Sequence, residues 1–376
     1  MRIALIIPTY NEAKVIGSLL DRLPEIRAEI LPHDIAVVVV DGNSTDKTAD
    51  IVREKSKADP HIYLISEGKK EGIAVAYVAG INYAKNTLKA DAFLEFDGDG
   101  QHDPSYIPVF VKAFLEGFDL VIGSRYVLGG SIPKNWPWQR KVLSRFGSIY
   151  ARVFLELPVY DVTSGFKLTR MKGFGEFLPE STKDLLSRRY AYKMQFLHEL
   201  ILRGARVKEI PIDFRTRDYD YSKSTWRDIF DSLRVTFILR MSDFKSWRLP
   251  KVLLIGGIGF VIQTILFELI GIRSGILRPS LAAVVGGEAA ILSNFSLNNA
   301  FTFKDKARAA SLLKRVLRFH IVSSGSIGTQ WFFVFIAEHI WGNDPIFLRV
   351  AYISGIIIGF LINYAGYQLY VWKKER

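Results

Sequence analysis

Cysteine is absent from the 376 residues, which excludes disulfides, thiolate metal sites and a cysteine nucleophile. No Gly-x-Gly-x-x-Gly loop follows the first apolar segment, Arg2–Pro8. Nucleotide phosphates would therefore have to be met by a metal ion and basic side chains, not by a glycine turn. The opening MRIALIIPTYNE has too short an apolar run before Pro8 for a signal peptide and reads as a buried strand. What the chain has in quantity is apolar surface and positive charge: 49% hydrophobic residues, a mean hydropathy of +0.14 and a net charge of +12. Up to about residue 250 the apolar residues alternate with charge, and beyond it they mass into long runs. Arg and Lys crowd at 203–251 and 304–318. Beside long apolar runs, that excess fits an anionic membrane surface and anionic substrates, and nucleic acid is not expected as a partner.

Arg2–Pro8, Ile35–Val40, His61–Ser66, Asp91–Phe96 and Asp119–Gly123 read as strands, the first because it is continuously apolar and ends at proline. Between them, Ala13–Leu23, Ala49–Lys55, Gly72–Lys85 and Tyr106–Glu116 repeat apolar residues at helical spacing. This alternation predicts an α/β fold with an open, mostly parallel sheet flanked by helices. Ligands collect at the carboxyl ends of such strands. Three polar clusters fall there: Pro8–Glu12, Asp41–Asp46 and Asp97–Gln101. Singly, each could be turn chemistry or a helix cap: Glu12 could cap the first helix, and Ser44 or Thr45 the second. Together on one edge they read as a site.

The third cluster carries the chemistry. Asp97-Gly98-Asp99-Gly100-Gln101 places two carboxylates and a carboxamide within five positions at the end of a strand. Such hard oxygen donors suit Mg²⁺ or Mn²⁺ shared with a diphosphate. His102 beside them reads as a turn residue in preference to a catalytic base.

IIPTYNE, VVDGNSTD and the acidic turn resemble the family 2 glycosyltransferases of the GT-A fold. IGSRYVLGGSIPKNWPWQRKVLSR (122–145), DVTSGFKL (161–168) and EIPIDFRTRDYDYSK (209–223) look like dolichyl-phosphate mannose synthases and their polyprenyl-phosphate relatives. The resemblance implies that Pro8, Tyr10, Glu12, Val40 and Asp41 hold the nucleoside of GDP-mannose. It implies that Asp97, Gly98, Asp99 and Gln101 meet the donor phosphates, with Asp97, Asp99 and Gln101 as metal ligands. Arg125, Arg140, Arg217 and Lys223 would bind donor and acceptor phosphates and, with Asp99, form the catalytic set. Asp220 stands where the family's R-x-x-G-x-S-K motif has glycine. The implied reaction is inverting transfer of mannose to dolichyl or another polyprenyl phosphate, with UDP-glucose as the alternative donor. The Q-x-x-R-W motif of processive polysaccharide synthases is absent.

Val252–Ile272, Leu281–Phe303, Phe319–Trp341 and Phe347–Trp372 are each long enough to cross roughly 30 Å of hydrocarbon. Lys304, Lys306, Arg308, Lys314, Arg315 and Arg318 separate the second and third, while Arg273 and Arg278 alone mark the outer connectors. By the positive-inside rule, a multi-pass protein of the cell membrane is expected, with its catalytic part in the cytoplasm. Glu268 and Glu288 lie within these spans and need partners. SNFSLNNAFTF (293–303) resembles the GtrA-like four-helix module. Asp228–Trp247 carries Ile229, Phe230, Leu233, Phe237, Met241 and Phe244 mostly on one helical face, which suits helices lying on a bilayer. The expected organisation is a GT-A domain over 1–225, interfacial helices over 226–250 and a four-helix transmembrane domain over 251–376. The sequence assigns no oligomeric state.

Overall fold

The computed structural model describes residues 1–216, 226–243, 248–303, 311–342 and 344–371, and the chain divides into two compact units, Met1–Ser242 and Asp243–Arg376. In the first, β1 (Arg2–Thr9) and β2 (Asp34–Asp41) pair in parallel from Arg2↔Asp34 to Thr9↔Asp41. Both are apolar on both faces. Ala4, Ile6, Val38 and Val40 pack on α3 (Ile73–Asn86), whereas Ile3, Leu5, Ile7, Val37 and Val39 pack with Ile16, Leu19 and Leu23 of α1 (Ala13–Glu29). Burial on two faces is why these strands read as continuous apolar runs.

The sheet continues with β3 (Ile62–Ser66), β4 (Ala92–Glu95), β5 (Leu120–Ser124), β6 (Lys167–Arg170) and β7 (Val207–Pro211). Among the described residues it has seven strands in the order β3-β2-β1-β4-β6-β5-β7. All pairings are parallel except those of β6, which runs antiparallel to both β4 and β5. That exception matters for the site. The start of β6, and the residues just before it, lie at the same edge as the carboxyl ends of the other strands. The second helix, α2 (Thr48–Ala58), and α4 (Ile107–Leu115) cover the predicted helical segments. Three more helices belong to this unit: α5 (Trp138–Phe154), α6 (Tyr192–Leu202) and α7 (Trp226–Ser242).

Two predicted caps are different in the structure. Glu12 sits at the N-cap of α1 without a capping hydrogen bond from its side chain. Ser44 and Thr45 turn to Asp41 and Asn11, and Asp46 accepts the Thr48 N–H at the start of α2 instead (2.9 Å).

The second unit holds α8 (Leu249–Leu266), α9 (Pro279–Leu297), α10 (Leu312–Trp341) and α11 (Pro345–Gly366). Among the described residues these give four helices long and apolar enough to cross a membrane: Pro250–Arg273, Pro279–Thr302, Leu312–Trp341 and Pro345–Gly366. The third begins at Leu312 instead of Phe319, because the Ser311 side chain accepts the Lys314 N–H and starts the helix there. Lys314, Arg315 and Arg318 thus ride on its first turns. Lys304, Lys306, Arg308, Trp372, Phe244 and Trp247 lie outside the described residues. Glu268 finds its partner in Arg349, which donates two hydrogen bonds (2.7 and 3.0 Å), and Glu288 lies 3.7 Å from His320 Nε2. A side chain at Gly286 would meet the Gln263 backbone at 2.7 Å, so glycine there sets how closely α9 approaches α8.

Candidate active site

A cleft of ≈ 970 Å³ opens at the carboxyl edge of the sheet. The end of β1 contributes Pro8 and the turn after it Tyr10 and Glu12; the turn after β4 contributes Asp97, Gly98, Asp99 and Gln101. Arg125 leaves β5, and Arg140 comes from the start of α5. These nine predicted residues line one cleft. Val40 and Asp41 do not. Val40 belongs to the core, and Asp41 is 1% exposed, its carboxylate accepting from Thr9 Oγ1 (3.0 Å), Ser44 Oγ (2.6 Å) and Ser44 N–H (2.9 Å). The bonds brace the turns after β1 and β2 against each other. Arg217 and Lys223, with Asp220, lie outside the described residues.

Asp97 is engaged at both carboxylate oxygens. Tyr77 donates to its Oδ1 (3.1 Å), and the Lys193 ammonium of α6 stands 3.4 Å from Oδ2. Burial alone would raise the carboxyl; the Lys193 ammonium and the Tyr77 hydroxyl outweigh it and hold Asp97 ionised below the usual range. Lys193 can reach there only because residue 165 lacks a side chain: a Cβ on Gly165 would lie 2.2 Å from Lys193 Nζ and 2.8 Å from Asp97 Oδ2. Two residues back along the chain, Glu95 repeats the arrangement deeper down. It accepts from Tyr192 (3.1 Å) and lies 3.4 Å from Lys167, both ions being essentially buried. Tyr77 and Tyr192 stack with ring centres 5.4 Å apart. One tyrosine pair therefore fixes both carboxylates.

His102 accepts the Asp97 N–H at Nδ1 (3.1 Å), which puts the proton of its neutral ring on Nε2, 3.9 Å from Asp97 Oδ2. It stacks on Phe166 (5.0 Å), and burial pushes its pKa down despite Asp97 and Asp99. A neutral, packed imidazole serves the turn as structure, as the sequence suggests. At the far end of the turn, Gln101 N–H donates to Asp99 Oδ1 (3.1 Å) and Gln101 Nε2 to the Arg215 carbonyl (3.1 Å). The carboxamide nitrogen is thus committed to the Arg215 carbonyl.

Arg125 is gripped by the DVTSGF segment that precedes β6. Its Nε and Nη2 donate to the two oxygens of Asp161 (both 2.7 Å), and Nη2 also to Thr163 (2.8 Å). Burial opposes the charge, but Asp161 more than restores it and raises the pKa. Asp161 is itself held through its N–H by Glu209 of β7 (2.9 Å). Arg140 stacks on Trp136, 3.8 Å from the ring centre.

The donor set suits a hard divalent cation: Asp97, Asp99 and Gln101 offer oxygen only. Among the described residues no three His, Asp or Glu side chains form a ready-made metal cluster. Such a site fits an ion that takes its remaining ligands from phosphate.

Part of the cleft lining is apolar. Trp138, Val142, Leu143 and Phe146 of α5, and Trp226 and Leu233 of α7, line it while remaining largely exposed. The α7 stripe continues along one face through Phe230, Phe237 and Met241.

Sequence reasoning missed Lys193, Tyr77, Glu67 and Lys70 as cleft or supporting residues; each is an unremarkable position in its own segment, and only the fold gathers them.

Comparison with known proteins agrees with the two-part organisation. Glycosyl transferase family 2 matches residues 4–178, and the GtrA/DPMS transmembrane domain matches residues 251–372. A dolichol-phosphate mannosyltransferase from Pyrococcus furiosus is 30% identical over 380 residues, covering 99% of each chain. A polyprenol monophosphomannose synthase from Mycolicibacterium smegmatis is 32% identical over 62% of this chain and 84% of its own. An undecaprenyl-phosphate mannosyltransferase from Micrococcus luteus is 34% identical over 59% of this chain and 87% of its own.

Proposed function

We propose that this chain, which belongs to glycosyl transferase family 2 and carries a GtrA/DPMS transmembrane domain, transfers mannose from GDP-mannose to dolichyl or another polyprenyl phosphate with inversion at C1. The product would be a β-linked lipid phosphomannose, a donor for glycosylation. One observation carries the reading: a single cleft is lined both by an acidic, oxygen-rich turn and by exposed apolar side chains of α5 and α7. A nucleoside diphosphate suits the first and a lipid chain the second. The names of the three relatives support mannose and a polyprenyl phosphate.

In the proposed reaction a lipid phosphate oxygen attacks C1, the bond from C1 to the diphosphate breaks, and its electron pair leaves with GDP. The nucleophile is already anionic, so no base has to remove a proton, in keeping with a neutral, stacked His102. Asp97, Asp99 and Gln101 would hold Mg²⁺ or Mn²⁺, which when bound neutralises charge on the departing diphosphate. Arg140, Arg217 and Lys223 would offset the repulsion between two phosphates. Arg125 would contribute less than a free guanidinium, because Asp161 already occupies its fork. Lys314, Arg315 and Arg318 at the start of α10 support a cytoplasmic catalytic unit at the cell membrane.

The test is transfer by the detergent-solubilised protein, with polyprenyl phosphate and Mg²⁺, from GDP-mannose and from UDP-glucose in parallel. Mannosyl lipid in step with GDP release is expected. Transfer from UDP-glucose alone would overturn the donor assignment.

A further inference from the structure

We propose that Glu67 reads the base of the donor nucleotide and selects guanine. This rests on the donor reading above and deepens it. Ser66 is the last residue of β3 and pairs with Asp41, and the Glu67 N–H donates to the Asp41 carbonyl (2.9 Å). Glu67 therefore leaves the sheet beside Asp41 and Gly42. Its Oε2 lies 3.5 Å from where a Gly42 side chain would stand, a spot also bordered by the Tyr10 ring (3.8 Å) and the Thr9 carbonyl (3.5 Å). Tyr10, Gly42, Glu67 and Lys70 all line the cleft that contains the acidic turn. Lys70 places its ammonium 3.4 Å from the Tyr10 ring centre.

The neighbouring carboxylates are occupied. Asp41 is taken by Thr9 and Ser44, and Glu71 by Lys69 and Arg188. Glu67 is half-buried, and no hydrogen bond or ion pair among the described residues engages its carboxylate. Burial, reinforced by Glu71 and Asp41, raises its pKa to about 7. Such a group gains from a ligand that brings donors.

Guanine brings two, side by side: N1–H and the N2 amino group match the two oxygens of a carboxylate. Uracil presents one N–H between two carbonyl oxygens, which a carboxylate repels; adenine presents one donor beside an acceptor. Glu67 in this position favours guanine and disfavours uracil by the same chemistry.

The test is calorimetric binding of GDP, IDP and UDP to the full-length protein in detergent with Mg²⁺, for the wild type and Glu67→Gln. IDP differs from GDP only by lacking the N2 amino group. The wild type should bind GDP at least about tenfold more tightly than IDP, and Glu67→Gln should bring that ratio close to one while strengthening UDP binding, because the carboxylate that repels uracil's carbonyl oxygens is gone. Equal wild-type affinities for GDP and IDP would overturn the inference without recourse to the variant. So would a variant that keeps the GDP-to-IDP ratio. Preference of the wild type for UDP over GDP would instead remove the donor reading on which it rests.

Discussion

At the scale of single residues, the cleft is organised by what each carboxylate already holds. Asp97 is clamped by Tyr77 and Lys193, Asp41 by Thr9 and Ser44, and Glu67 by nothing described. Asp99 and Gln101 are the side chains that the proposed ion adds to Asp97. Asp99→Ala or Gln101→Ala should lower transfer at least about a hundredfold while the thermal unfolding midpoint stays near that of the wild type; undiminished turnover would remove the metal role. Glu67 gives a pH dependence whose sign is fixed. Its pKa in the free protein is about 7, above the ordinary carboxylate value, and guanine's donors favour the ionised form. The facing groups are Asp41, Glu71 with its partners Lys69 and Arg188, and Lys70 over Tyr10. Binding therefore releases a proton below that pKa. Affinity for GDP-mannose should rise with pH, by up to about tenfold per unit below about 7, and level off above it. In Glu67→Gln, titrations from pH 5.5 to 8 should be flat. These assignments show where sequence reading stops. The acidic turn is visible as a motif, but nothing around Lys193 or Glu67 marks either one, because their roles come from α6 and β3 being brought to one edge.

At the scale of elements, β1, β2 and β4 are legible because burial on both faces writes an unbroken apolar run. The strand β6 is not. Lys167–Arg170 is four residues with one leucine, and its lysine is buried against Glu95 where no solvent-facing alternation betrays a strand. The antiparallel course of β6 is what delivers Thr163 and Gly165 to the cleft and buried Asp161 to Arg125, so the DVTSGF motif is readable and its placement is not. The helix α7 was readable as amphipathic, since Trp226, Phe230, Leu233, Phe237 and Met241 recur at helical spacing, and the first two are 76% and 68% exposed. Its neighbour in the cleft wall, α5, was not assigned from sequence, because Arg and Lys interrupt its apolar positions. If these two faces receive the acceptor's lipid chain, Phe146→Asp and Phe230→Asp should each raise KM for a long-chain polyprenyl phosphate by roughly tenfold. Reaction with a short, water-soluble prenyl phosphate should be nearly unchanged. Equal losses with both acceptors would mean that the substitutions disturb the catalytic turn instead.

At the scale of the whole molecule, the sequence divides where its composition changes, and the structure divides the chain after Ser242. Among the described residues four apolar helices follow, with Glu268 and Arg349 satisfying each other within them. A glycosyltransferase joined to a transmembrane domain in one chain suits an acceptor that never leaves the bilayer. The proposed chemistry depends on where the diphosphate sits. The most direct measurement is the anomalous signal of Mn²⁺ in a structure of the full-length protein with GDP-mannose. One peak is expected, bonded to Asp97, Asp99 and Gln101 and to oxygens of the diphosphate. Nucleotide bound with no manganese at these three side chains, or manganese held elsewhere in the cleft, would contradict it.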